Sequence, residues 1–243
     1  WASMLSFTPK QNIFYPSVGL SAVISSMTDL SKAGISFLKV RGSYAEVGNA
    51  PERYITGPNY TLTNGVVSTA TIAPAKHLEA ERTKSFEVGL TMRFLKHFNL
   101  DFTYYNSHTS NQTFDPQISG GTGFSKIIIQ SGNVRNQGIE LALGYRNTWR
   151  DFTWDTNYTL STNQNKIISL ANNVINYATG ERFSIDRLNM GGLGDAQFLL
   201  QEGGTLGALY SRRDLRYDEN NAIYIDENGN VATETIQDVN KYV

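Results

Sequence analysis

The chain has 243 residues, a formal net charge of -1, 12% aromatic residues and no cysteine. That composition excludes a disulfide framework, a thiolate metal centre and the basic footprint of a nucleic-acid binder. No apolar run reaches the roughly 18 residues of a membrane-crossing helix, yet a mean hydropathy of -0.33 is compatible with a membrane barrel, whose strands are half polar.

Residues 12–24, NIFYPSVGLSAVI, alternate Val18, Leu20, Ala22 and Ile24 against Ser17, Gly19 and Ser21, with Pro16 near the start where a strand tolerates it. After the polar segment SSMTDLSKAG, residues 35–47 alternate Leu38, Val40 and Tyr44 against Lys39, Arg41 and Ser43, so the two cations mark the wet side. Residues 48–83 are rich in Gly, Pro, Asn and Thr without a sustained period and read as a long loop, with a short ribbon near Tyr60–Thr63.

The most regular stretch follows. Phe86, Val88, Leu90, Met92 and Phe94 alternate with Ser85, Glu87, Gly89, Thr91 and Arg93; past Leu95-Lys96-His97, Phe98, Leu100, Phe102 and Tyr104 alternate with Asn99, Asp101, Thr103 and Tyr105. These are two strands of about ten residues and a tight turn, longer than the usual five or six. Tilted by about 45°, ten residues rise about 23 Å, close to the roughly 25 Å apolar band of an outer-membrane barrel.

Residues 108–136 read as a second long loop in which Lys126–Gln130 pair as a short strand. The hairpin grammar then returns: Ile139, Leu141, Leu143 and Tyr145 against Glu140, Ala142, Gly144 and Arg146, and, past residues 148–151, Phe152, Trp154, Tyr158 and Leu160 against Thr153, Asp155, Asn157 and Ser161. From about Gln164 the chain reads as mostly irregular, and DENGN (226–230) reads as a surface β-turn rather than a metal loop.

Six strands with short and long connectors in alternation define the fold class: all-β, an antiparallel transmembrane β-barrel in part, its short turns on the periplasmic side and its long loops outside. Six such strands do not close a barrel, and the start at Trp1 carries no signal-peptide pattern; residues 1–243 therefore read as a portion of a longer barrel whose plug and final strands lie elsewhere.

Several motifs occur together and in order: YPSVGL, FLKVRGSYAEVGN, LEAERTKSFEVGL, NLDFTYYNSHTSN, GFSKIIIQSGNVRNQGIELAL and EGGTLGALY. The series, over residues 12–210, resembles the SusC/RagA-like TonB-dependent outer-membrane transporters of Bacteroidetes, with Gln130 and Ala45 departing from the residues usual there. The resemblance implies a barrel of about 22 strands with a plug, placed in the outer membrane of a Gram-negative, Bacteroidetes-like bacterium. It would import glycans or oligopeptides with energy from the TonB complex and carry a SusD-like surface lipoprotein as lid.

No nucleophile elbow or carboxylate dyad suggests catalysis, and His77, His97 and His108 have no second ligand at metal spacing; neither enzyme nor cofactor is expected. Glu87, Arg93, Asp101, Tyr105, Glu140, Arg146 and Asp155 fall at the polar positions and are assigned to the lumen wall, where they pair with one another or steady the plug. Tyr60, Asn111, Phe114, Asp115, Phe124 and Tyr177 put aromatic rings beside amides and carboxylates in the long loops, the mix that stacks on sugars or grips peptides, and are the candidate substrate contacts. Tyr104, Tyr145, Trp149 and Trp154 are read as an interfacial aromatic girdle facing outer-membrane lipid. A passive porin or adhesin barrel is the nearest alternative. A soluble all-β carbohydrate-binding module is the other, and it requires Phe86, Leu90, Leu141 and Leu143 to be sealed inside a two-layer interior.

Overall fold

The structure, a computed structural model, describes residues 12–51, 61–68, 71–73, 78–116, 121, 123–176 and 179–243. In chain order its strands begin with β1 (Ser17–Val23), β2 (Ile35–Asn49), the short β3 (Thr61–Thr63), β4 (Val66–Ser68) and β5 (Ile72–Ala73). Then come β6 (Glu81–Phe94), β7 (Phe98–Phe114), the two-residue β8 (Lys126–Ile127), β9 (Ile129–Trp149) and β10 (Phe152–Ser169). Seven shorter strands follow: β11 (Ala171–Ile175), β12 (Arg182–Ile185), β13 (Arg187–Leu193), β14 (Ala196–Gln201), β15 (Leu209–Ser211), β16 (Arg213–Leu215) and β17 (Thr233–Thr235).

The six long strands form one antiparallel sheet in the order β1-β2-β6-β7-β9-β10. Its register sorts side chains by polarity with few exceptions. Val40, Leu90, Phe102, Leu141 and Leu160 lie side by side across five strands, and the adjacent row on the opposite face is Arg41, Gly89, Thr103, Glu140 and Ser161. Because side chains alternate along a strand, one face is a continuous apolar belt and the other a continuous polar wall.

Nothing in the described residues packs on the belt. Phe86 is 48% exposed, Leu143 36% and Tyr158 59%, and Leu90 and Leu141 are half-buried only by their neighbours in the sheet. The two-layer interior of a soluble sandwich is thus not what these residues form. Rings gather at the short-turn end of the belt: Phe94 stacks on Phe98 at 5.3 Å, Phe98 meets Tyr145 at 4.9 Å, and Trp149 and Trp154 flank Phe152 at 6.3 Å each.

The buried apolar residues lie elsewhere, at the end where the long connectors run. Val134, Ile167, Leu170 and Leu200 form one cluster, Ala73, Ile127, Ile129 and Ala171 a second, and Leu78 with Ile128 a third. There the chain departs from the sequence-based expectation. Residues 108–114 and 129–136, assigned to a loop, continue β7 and β9, which run 17 and 21 residues, and β10 extends to Ser169. The first strand is shorter than expected, starting at Ser17, with Ile24 already in a 3-10 turn. The region after Gln164, read as irregular, holds β11–β17. Beyond the belt both faces of the sheet meet water or folded-back loops, so hydropathy no longer alternates although the ladder hydrogen bonds persist. The expected ribbon is the β3–β4 hairpin, closed by Asn64-Gly65, and Lys126–Ile127 pairs in parallel with β5.

Candidate functional site

The polar face of the sheet carries all seven residues assigned from the sequence to the barrel interior. Glu87 pairs in register with Tyr105, Arg93 with Asn99, Thr91 with Asp101, Thr103 with Glu140 and Arg146 with Asp155. The structure does not join them into one network. Its hub is instead Arg41, a residue whose charge marked the wet side in the sequence but whose partners lie on strands 50 and 60 residues away.

Arg41 reaches across β6 to β7. Its Nη2 donates to Asp101 Oδ1 at 3.2 Å and to Thr103 Oγ1 at 2.6 Å, and Nη1 donates to Thr91 Oγ1 at 3.2 Å. Thr91 Oγ1 donates in turn to Asp101 Oδ2 at 2.7 Å, and Arg41 Nε lies 3.9 Å from Glu87 Oε1. A planar guanidinium suits such a multi-pronged partner set, as the ammonium of a lysine would not. The reach depends on Gly89, which sits between Arg41 and Thr103 in register: a Cβ there would lie 2.5 Å from Arg41 Nε and 2.6 Å from its Cζ. The same device recurs one hairpin later. Tyr105 lies over Gly138, whose added Cβ would meet the hydroxyl at 2.6 Å, and donates to Asn163 Oδ1 on β10 at 3.2 Å. A glycine in the middle strand lets a long side chain on one neighbour bind the strand beyond it, so the wall is laced three strands at a time.

The remaining charges are held more loosely. Arg146 Nε is 3.9 Å from Asp155 Oδ2 and both are well exposed. Arg93 lies over the Phe37 ring, its Cζ 5.6 Å from the centroid, and no ion pair joins Glu140 to a described residue.

At the long-connector end the wall opens into a cavity of about 430 Å³ lined by Asn49, Pro51, Ile72, Glu81, Thr113, Phe114, Asp115 and Ile128, among others. Two of the candidate substrate contacts, Phe114 and Asp115, are therefore on its surface. Asp115 is paired with Lys126 Nζ at 2.6 Å; Glu81 accepts the Thr113 N–H at 3.3 Å and the Asn49 amide at 3.4 Å. Thr113 Oγ1 is buried without a partner among the described residues. Phe124 is not among the cavity residues named above; it packs, half-buried, on the Ala73, Ile127, Ile129 and Ala171 cluster, as Phe114 also does from the cavity wall. Asn111 adopts a left-handed φ of 61° where the β7–β9 pairing slips, so its part there is to shape the backbone. Tyr60, Tyr177 and His77 lie outside the described residues.

Sequence reasoning missed Arg41, Thr91, Thr103, Asn49 and Glu81 as members of these two sites. Parity alone put Arg41, Thr91 and Thr103 on the wet face, but only the cross-strand register shows that they converge. The DENGN segment is a turn: Asp226 Oδ1 accepts the Asn228 and Asn230 N–H groups at 2.9 and 2.8 Å. Those bonds, Asn230 foremost, hold its carboxyl below the usual range.

Comparison with known proteins gives concordant findings. A family model described as "TonB dependent receptor-like, beta-barrel" matches residues 3–242. Among curated proteins, TonB-dependent receptor P39 of Formosa agariphila is 28% identical over 226 residues, covering 87% of this chain and 20% of its own length. TonB-dependent receptor P26 of the same organism is 31% identical over 169 residues, covering 65% of this chain and 17% of the relative. Among solved structures, one of the RagAB peptide transporter superposes with a TM-score of 0.69 at 18% identity, covering 98% of this chain and 26% of that one. The RagAB peptide importer in its "open-open" state gives 0.68 at 16%, covering 97% and 25%. The chain thus spans about a fifth of the length of the curated relatives and about a quarter of the solved chains.

Proposed function

Because the chain belongs to the TonB-dependent receptor-like β-barrel family, we propose that the full-length protein is an active importer of the outer membrane, and that this chain supplies part of its wall. The polar face lines the lumen, and the cavity beside Asn49, Glu81 and Asp115 contacts cargo on its way in. The plug and the TonB contact belong to another part of the polypeptide. A SusD-like lipoprotein covers the outer end, as the likeness to structures named RagAB supports. The cargo is an oligopeptide or a glycan: two carboxylates, a carboxamide and a phenyl ring around about 430 Å³ offer acceptors for amide or hydroxyl hydrogens and a surface for apolar or pyranose faces.

The observation that carries this reading is the cavity's place, at the loop end of a charged wall whose opposite face is an uncovered apolar belt. Its test is uptake of labelled oligopeptides and oligosaccharides by cells carrying the full-length receptor. Glu81→Gln with Asp115→Asn is expected to raise the apparent KM about three- to tenfold, the loss of one or two hydrogen bonds. Collapse of the proton-motive force is expected to abolish uptake. Uptake that survives that collapse would make the barrel a passive pore.

A further inference from the structure

The cavity at the long-connector end holds a carboxylate whose charge nothing around it balances. Glu81 is half-buried there and meets only two neutral donors, the Thr113 N–H at 3.3 Å and the Asn49 amide at 3.4 Å, both near the outer limit of a hydrogen bond. No cation pairs with it among the described residues. Arg82, next in the chain, turns to the opposite face of the sheet and is taken by Glu46 at 2.9 Å.

Asp115, the second carboxylate, is neutralised by Lys126 at 2.6 Å, and that pair is a partition. Asp115 also borders a smaller cavity of about 150 Å³, and Lys126 lines that one beside Leu188, Asn189 and Met190. The cation thus stands on the far side of the partition, and the described lining of the larger cavity keeps a net negative charge. Its third element is a ring. Phe114 packs on two buried clusters, borders the cavity with what they leave uncovered, and lies against Gly132, where a Cβ would overlap its Cε2 and Cζ.

We infer that this cavity takes an amino group, carried as an ammonium by the cargo. The inference rests on the reading that the cavity meets cargo and narrows it to molecules with a free amine, whether on a peptide or on an amino sugar. An ammonium exchanges the long neutral bonds of Glu81 for charge-assisted ones, which are shorter and roughly twice as strong. A ring held in place attracts the same cation and covers the methylenes beside it. A hydroxyl or an acetylated amine brings no charge to balance Glu81, so it gains neither contribution.

Binding to the full-length receptor, purified from outer membranes, tests this with two matched pairs of probes at mildly acid pH: an alanine tetrapeptide and its N-acetyl form, and a glucosamine tetramer and its fully N-acetylated form. In at least one pair the amine is expected to bind about tenfold more tightly at low salt, and the pair that shows it tells which backbone carries the amine. In Glu81→Gln that ratio is expected to fall to about one, with the affinity for the acetylated probe kept within about twofold. Asn49→Lys, at an exposed position, sets a resident ammonium beside the same carboxylate and is expected to do likewise, even if Glu81→Gln does not assemble. Equal binding of amine and acetylated probes in both pairs, or substitutions that weaken both members of a pair alike, would overturn the amine assignment and leave the cavity as a cargo site. Affinities for all four probes left unmoved by either substitution would overturn both.

Discussion

Arg41 illustrates how much one side chain in this wall depends on an absence beside it. Its bonds to Asp101, Thr91 and Thr103 run over Gly89, and any side chain at that position would push the guanidinium away. With the Arg41 and Asp101 side chains 33% and 45% exposed, their coupling is screened, and a double-mutant cycle of Arg41→Ala and Asp101→Asn is expected to return about 1 kcal/mol. Gly89→Ala should remove most of that coupling while leaving both charges in place. Urea unfolding of the full-length receptor in vesicles checks both; a Gly89→Ala protein with the coupling intact would show that the reach does not need the gap.

At the scale of elements, the tight turns carry local strain that the strands override. The two-residue link between β9 and β10 places Arg150 at a φ of 54°, and Leu95 and Lys96 in the β6–β7 turn are at 49° and 63°. Such conformations disfavour a side chain by about 1 kcal/mol each. Arg150→Gly is therefore expected to raise stability by about 0.5–1 kcal/mol, read as a higher temperature for loss of the folded band in heat-modifiability gels. These hairpins were legible because Phe86–Phe94 and Ile139–Tyr145 alternate with one face in hydrocarbon. The upper parts of β7 and β9 were not: Ser107 to Thr113 is polar at every position, and no alternation survives where both sides of a sheet are wet. The Arg41 hub escaped notice for a different reason, since sequence gives parity but not register, and a one-residue slip would have paired Arg41 with different neighbours.

For the whole molecule, the belt and the buried clusters are separate sources of stability. The belt gains its free energy from hydrocarbon, the clusters from packing of loops and short strands on the inner face of the strand ends. Leu141→Lys, in the middle of the belt, should cost about 2–4 kcal/mol, whereas Thr159→Lys, on the opposite face of the neighbouring strand, should cost under about 1 kcal/mol. Urea titrations in lipid vesicles measure both; equal losses would mean that the two faces see the same medium. The same division bears on Phe114 and Phe124, both read from the sequence as loop aromatics: the long connectors have an apolar interior of their own, and both rings pack on it.

The strands that overshoot the bilayer edge bear on how such a wall can change over evolutionary time. They turn what would be slack tethers into a stiff parapet, braced from within by Val134, Ile167 and Leu200. A parapet of that kind keeps its form when one tether is exchanged for another, so the residues around the cavity are free to diverge while the anchorage below stays as it was.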